Sequence, residues 1–80
     1  MSLSFFDITQ GEYSFADDEG SDLESVESVR AMALETLLEI ARGRVPDGEH
    51  TEIRVAVRDE AGASVYRAVL TISGEWTLKS

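Results

Sequence analysis

The sequence predicts an α+β fold: a two-layer ββαββ sandwich whose four-stranded, mostly antiparallel sheet carries one amphipathic helix on one face. Two observations predict this architecture. Two pairs of short segments rich in β-branched and aromatic residues flank a single stretch of apolar residues at helical spacing. A turn signal separates the members of each pair. The 80 residues suit a single domain spanning 1–80.

The first pair predicts a hairpin over about residues 3–16. Residues 3–8 are apolar and rich in aromatic side chains, which is typical of a strand. Thr9-Gln10-Gly11 indicates a turn, and residues 12–16 then alternate between large and small side chains.

The helix is predicted over about residues 26–42. The apolar residues that recur at helical spacing are Val26, Val29, Ala33, Leu34, Leu37, Ile40 and Ala41. Ser25 precedes this stripe and is the preferred N-cap, because a serine oxygen can accept a bond from a free amide of the first turn. At the other end Gly43 suits the cap, and Arg44 suits the negative end of the helix dipole. Val45-Pro46-Asp47-Gly48 then forms a turn.

The second pair predicts a hairpin over about residues 51–72. Residues 51–58 alternate between apolar and polar, and Asp59-Glu60-Ala61-Gly62 turns the chain into the partner strand. A tight turn sets the register Arg58 with Ala63, Ala56 with Val65, Arg54 with Arg67, Val55 with Tyr66 and Ile53 with Ala68. This register keeps one face of the hairpin apolar throughout.

Residues 73–80 form a short C-terminal tail. We expect Trp76 to pack against the sheet or the end of the helix, because a lone aromatic side chain on a small domain is usually buried. The alternative is that Trp76 is an anchor for a binding partner.

The net charge of −9 is unevenly distributed. Residues 1–29 hold eight acids and no base, whereas residues 30–80 hold eight acids and seven bases. Because phosphate repels an acidic protein, we expect no direct binding of nucleic acid.

No stretch of apolar residues is long enough to span a membrane, so we expect no membrane association. The chain has no cysteine and no secretory signal, which favours a cytoplasmic location.

Five blocks spread over nearly the whole chain carry a resemblance. They are Phe5-Phe6-Asp7-Ile8, Asp18-Glu19-Gly20, Arg30-Ala31-Met32-Ala33-Leu34, Pro46-Asp47-Gly48 and Val55-Ala56-Val57-Arg58-Asp59-Glu60-Ala61-Gly62. With these blocks the sequence resembles a family of short, mostly alphaproteobacterial proteins that carry a single domain of unknown function. The resemblance implies one small domain of the predicted fold. It implies no activity, because the family has none assigned, and it carries over no catalytic residue.

The acidic loop at residues 17–22 is one candidate site. Its carboxylates could bind a hard cation, and they belong to Asp17, Asp18, Glu19 and Asp22. Their spacing does not match a helix–loop–helix calcium site, so we interpret them as a solvated loop that favours the dipole of the following helix. His50 stands alone, and no nucleophile or phosphate-binding pattern is present. We therefore expect no enzyme, no metal site and no cofactor.

Arg30 lies on the apolar side of the predicted helix, between Val29 and Ala33. A charge in that position must reach the edge of the helix or meet a carboxylate. Asp7, near the end of the first strand, is the favoured partner, and Asp17 with Asp18 are alternatives. We interpret Arg30 and Asp7 as a structural ion pair that locks the helix to the first hairpin.

The open face of the sheet is the best candidate interaction surface, because one helix can cover only one face. Its predicted residues are Arg54, Arg58, Arg67, Val65 and Val69. A mixed apolar and arginine-rich surface resembles the core of an interface. The arginines would match the acidic first 29 residues of a second copy, so a homodimer is plausible. The alternative is pairing with carboxylates of the same sheet.

These observations favour a small, non-enzymatic, acidic protein-interaction module that self-associates through its open sheet face, with a protein or itself as partner. Two alternatives remain open. The acidic first third could mimic nucleic acid and bind a basic nucleic-acid-binding protein. The acidic loop at 17–22 could instead serve a small metal-binding protein or enzyme.

Overall fold

The computed structural model describes residues 2–43 and 50–78 and has the predicted α+β architecture. Its elements are β1 (Ser2–Gln10), β2 (Tyr13–Phe15), β3 (Ser21–Leu23), α1 (Val26–Gly43), β4 (His50–Arg58) and β5 (Ser64–Ser73). All strand pairs are antiparallel, in the order β2-β1-β4-β5, and β3 also pairs with β1. The predicted turn at Val45–Gly48 and the charge of Arg44 lie outside the described residues.

The short strand β3 was not predicted, and the sheet therefore has five strands rather than four. It continues the first hairpin after an interruption, since β2 pairs with residues 8–10 of β1 and β3 pairs with residues 2–4. The intervening residues 16–20 bulge away from the ladder. The sequence predicts a loop over this whole stretch, because three residues are too few to produce a period-two pattern.

The core lies between α1 and the inner face of the sheet. Its buried residues are Phe6, Val29, Ala33, Leu37, Ile53, Val55 and Val57. The three helical members recur every four residues and form one stripe, the three members on β4 alternate along the strand, and Phe6 lies on β1. Full burial of each Val, Leu or Ile side chain contributes about 1.5–3 kcal/mol, so this contact holds the helix on the sheet.

The helix begins as predicted. The Ser28 amide donates to Ser25 Oγ at 3.1 Å, and the Val29 amide donates to the Ser25 carbonyl at 3.1 Å. Ser25 is therefore the N-cap, and α1 extends one residue beyond the predicted 26–42.

A three-residue loop, rather than a tight turn, joins β4 to β5. The Asp59 amide donates to the Ala63 carbonyl at 2.9 Å, and the Gly62 amide donates to the Asp59 carbonyl at 3.0 Å. Gly62 has a φ of 88°, in the left-handed region that this loop type requires of its last residue. The Asp59 carboxylate also accepts bonds from the amides of Ala61 and Ala63, each at 2.9 Å.

The predicted register of this hairpin is wrong by two residues. The observed pairs are Val57 with Tyr66, Ala56 with Arg67, Val55 with Ala68, Arg54 with Val69 and Ile53 with Leu70. A second irregularity, between Val57 and Arg58, makes Val65 an extra residue of a bulge. Because side chains alternate with period two, a shift of two residues changes each partner but keeps each side chain on its predicted face.

Candidate interaction surface

The open face consists of the strand residues that point away from α1. They are Leu3, Phe5, Asp7 and Thr9 of β1, Glu52, Arg54, Ala56 and Arg58 of β4, and Val65, Arg67, Val69 and Thr71 of β5. Their neighbours along each strand pack on the core instead. All five residues predicted for the interaction surface thus lie on one face, and no helix among the described residues packs on it.

Arg58 is held within its own chain. Its Nε donates to Asp7 Oδ2 at 2.9 Å, and its Nη2 donates to the Asp17 carbonyl at 2.8 Å. The guanidinium carbon lies 4.7 Å from the centre of the Phe5 ring, which is within the range of a cation–π contact. Both charged side chains of the pair are about two-thirds buried. Arg58 is therefore a structural residue that joins β4, β1 and the bulge at 16–20.

Asp17 organises that bulge through both oxygens of its carboxylate. Oδ2 accepts the Phe6 amide at 3.1 Å, while Oδ1 accepts the Glu19 amide at 3.1 Å and the Gly20 amide at 3.2 Å. The Asp17 amide in turn donates to Asp7 Oδ1 at 3.1 Å. We call Asp7, Asp17 and Arg58 the bulge clamp, because together they fasten the bulge to β1.

The environment of Asp17 stabilises its ionised form. Partial burial acts to raise the pKa of its carboxyl. The hydrogen bonds from the amides of Phe6, Gly20 and Glu19, and the charge of Arg58, outweigh that effect and hold the pKa below its ordinary value of 3.8. Because three backbone amides bond to it, the Asp17 carboxylate has a structural role in this part of the chain.

The predicted ion pair between Arg30 and Asp7 is wrong. Asp7 lies on the open face and pairs with Arg58, whereas α1 lies on the other side of the sheet. The sheet itself separates the two side chains. Arg30 is exposed on the flank of α1, beside the buried stripe rather than within it, and it forms no ion pair within the described residues.

Arg54 is also paired within the chain, although at the surface. Its Nη2 bonds to Glu52 Oε1 two residues away on the same face, and more than half of the Arg54 side chain is exposed. His50 stands at the start of β4 and is exposed. Its Nδ1 lies 3.0 Å from Ser73 Oγ, and its Nε2 lies 3.6 Å from Glu52 Oε2. Pairing within the same sheet, one of the two predicted alternatives, therefore applies to both Arg54 and Arg58.

What remains of the open face is an exposed patch on β4 and β5. We call Ala56, Val65, Arg67 and Val69 the open-face patch. Val65 is 44% exposed and Val69 is 48% exposed. Valine is common in strands because its side chain packs on a half-buried sheet surface, so two valines this exposed on one face are unusual. Arg67 lies opposite Ala56 and forms no ion pair within the described residues. The patch is thus apolar with a single unneutralised positive charge.

Exposed acids line the opposite edge of the sheet and the start of α1. They are Glu12, Asp18, Glu19, Asp22, Glu24 and Glu27. Within residues 2–43 and 50–78, no group of three or more histidine and acidic side chains is placed to hold a metal ion. The acids form a diffuse negative surface rather than a chelating cluster.

The tail differs from its expected position. Trp76 is 81% exposed and Leu78 is 80% exposed, so neither packs against the sheet or the helix.

Tyr13 and Phe15 of β2 are also mostly exposed, at 65% and 61%. They lie on the helix side of the sheet, where α1 does not reach them. The alternating pattern of residues 12–16 was visible in the sequence, but the path of α1 over β4 and β5 was not.

Within the described residues, no helix has the length and apolar character needed to cross a lipid bilayer.

The family model described as Domain of unknown function (DUF6894) matches residues 3–71. This range covers the helix and all of the sheet except its outermost residues. No curated protein and no solved structure matches the sequence. The match confirms the resemblance that the sequence blocks indicated, and the chain belongs to the DUF6894 family, a domain of unknown function.

Proposed function

We propose that this chain is a small, non-enzymatic, acidic interaction module that self-associates through the exposed β4–β5 half of its sheet. The observation that carries the proposal is the open-face patch. Arg54 and Arg58 are neutralised within the chain, yet Val65, Val69 and Arg67 lie exposed together. Depletion of charge around exposed apolar residues is typical of the core of a protein interface.

A second copy of the chain is the partner that the patch favours. Its one positive charge belongs to a protein of net charge −9, so a phosphate backbone does not suit it. Its exposed valines gain from contact with other apolar side chains, and every copy of the chain supplies these. Self-association also adds buried area to a domain that has no disulfide to stabilise it.

The test is a charge placed in the patch. Val69→Lys puts a positive charge on the exposed apolar centre of the patch, beside Arg67, and we expect it to weaken self-association by at least about tenfold, the equivalent of 1.4 kcal/mol. Ser14→Lys is the matched control, since Ser14 is exposed on β2 and lies opposite Thr9, at the far side of the sheet. Light scattering on a size-exclusion column measures both. Equal association of the two variants would contradict the proposal.

Acidic mimicry is a second candidate, because six exposed acids lie along one edge of the molecule and the start of its helix. It predicts that the chain binds a basic nucleic-acid-binding domain with steep dependence on salt. Replacing Asp18, Glu19 and Asp22 by their amides would then abolish binding, whereas Val69→Lys would leave it unchanged. A protein that uses the patch gives the reverse pattern.

A further inference from the structure

We infer that the second copy joins at the β5 edge, so that two β5 strands pair antiparallel and the two sheets become one continuous sheet. This inference rests on the proposed self-association and specifies its geometry. It starts from an asymmetry between the two edges of the sheet. One edge is protected against pairing, and the other is open.

The protected edge consists of β2, the bulge at 16–20 and β3. Both strands have three residues, and the bulge clamp draws the chain between them out of the ladder. Exposed carboxylates at Asp18, Glu19 and Asp22 add charge. Short strands, bulges and edge charges are the devices by which natural sheets avoid pairing with another chain.

The β5 edge carries little of this protection, because its one bulge lies at Val65, near the start of the strand, and residues 66–73 pair with β4 in an unbroken register. It is ten residues long, contains neither glycine nor proline, and has a single charged residue, Arg67. The described residues give it only one neighbour, β4, so one side of its backbone is unpaired. A long, weakly charged edge rich in β-branched residues is a template for addition of a strand.

The sequence of β5 suits pairing with itself. A two-fold axis through Ala68 places Arg67 opposite Val69, and an axis through Val69 places Arg67 opposite Thr71, so the like charges are not cross-strand partners. In the first register, Tyr66 and Leu70, which are half-buried at the core side, face each other across the axis. The two open-face patches then merge into one surface at the centre of the dimer.

The rest of the molecule fits this arrangement. The two β1 strands lie five strand spacings apart, about 24 Å, so the acidic edges lie at opposite ends of the sheet and beyond the Debye length of about 8 Å. The helix α1 lies on β4 and β5. Two such helices on one face come about 10 Å apart, which is the distance at which helices pack.

The first measurement is amide hydrogen exchange followed by NMR at low and high protein concentration. Along β5 every second amide points away from β4, and pairing at the edge requires these outward amides to exchange more slowly at high concentration. At low concentration they exchange fast while the amides bonded to β4 stay slow. Outward amides that remain fast in an associated protein would overturn the inference.

Two variants separate edge pairing from packing of one open face on another. Ile72 lies on the helix side of β5 and is 36% exposed, whereas Ala56 lies on the open face of β4, one strand in from the edge. We expect Ile72→Glu to weaken association at least tenfold and Ala56→Glu to leave it within a factor of three. Thermal unfolding of each variant confirms that it is folded.

The outcomes are distinguishable. If Ala56→Glu dissociates the protein, Ile72→Glu does not, and the outward amides stay fast, the copies pack face to face. Edge pairing is then wrong and the proposed function stands. If the wild-type protein never associates, both edge pairing and the proposed self-association are wrong. If both variants dissociate it, amide exchange decides between the two geometries.

Discussion

Asp17→Asn tests the bulge clamp most sharply, because both oxygens of the Asp17 carboxylate are in use. Oδ2 accepts the Phe6 amide, and Oδ1 accepts the amides of Glu19 and Gly20. An amide side chain offers one oxygen and one NH₂ group, so either orientation sets a donor against a backbone donor. The variant loses at least one charge-assisted bond, and one backbone amide loses its acceptor.

The expected loss of unfolding free energy is about 1–2 kcal/mol, in the lower part of the range for bonds to charged groups because Asp17 is only partly buried. With a urea m-value of about 1 kcal/mol/M for so small a domain, the unfolding midpoint falls by about 1–2 M. Urea titration followed by circular dichroism measures it. Asp18→Asn is the matched control, since it makes the same change in net charge at an exposed neighbour that forms no bond within the described residues.

The effect also depends on pH in a defined direction. The folded-state pKa of Asp17 is lowered, so its contribution to stability is complete above its ordinary value of 3.8 and is lost as pH falls below it. The difference between wild type and Asp17→Asn therefore shrinks in acid. Equal midpoints for Asp17→Asn and Asp18→Asn at neutral pH would refute the assigned role of the clamp.

Three further substitutions have expected costs. Arg58→Lys replaces a fork that reaches both Asp7 and the bulge by a single ammonium, and we expect a loss of about 1–3 kcal/mol in urea unfolding. Gly20→Ala puts a methyl group 2.9 Å from Phe5 Cε2 at a φ of 78°, and we expect a loss of more than about 1 kcal/mol, read as a lower Tm. Ser25→Ala removes the N-cap oxygen and costs about 1 kcal/mol by the same titration.

Arg58→Lys and Gly20→Ala each have a matched control. Arg54→Lys alters an exposed pair with Glu52 and should change stability by less than about 0.5 kcal/mol. Gly62→Ala has a similar φ of 88° but no atom within 4 Å of the added carbon, so it carries the backbone cost without the clash. Larger losses in the controls than in Arg58→Lys and Gly20→Ala would contradict the structural reasons given for both.

The local features of the fold could be predicted from the sequence. The helix, its cap at Ser25 and its boundaries follow from spacing and capping chemistry within a few residues. The faces of β4 and β5 follow from alternation, which depends only on neighbouring positions.

The remaining features depend on partners distant in sequence. Asp7 and Arg58 are 51 residues apart, and they meet because β1 lies beside β4, which no local pattern specifies. Alternation did place Asp7 on the face opposite Phe6, and that signal could have excluded a bond to the helical Arg30. The register of the second hairpin depends on two features that the turn residues do not specify. The three-residue loop that follows Asp59 shifts it by one residue, and the bulge at Val65 shifts it by one more.

The mass of the wild-type protein in solution tests the central claim most directly. Sedimentation equilibrium from about 1 µM to about 1 mM covers the affinities that a small interface provides. Self-association predicts a mass that rises with concentration from 8.8 kDa toward twice that value. A single species of 8.8 kDa at every concentration would contradict the account.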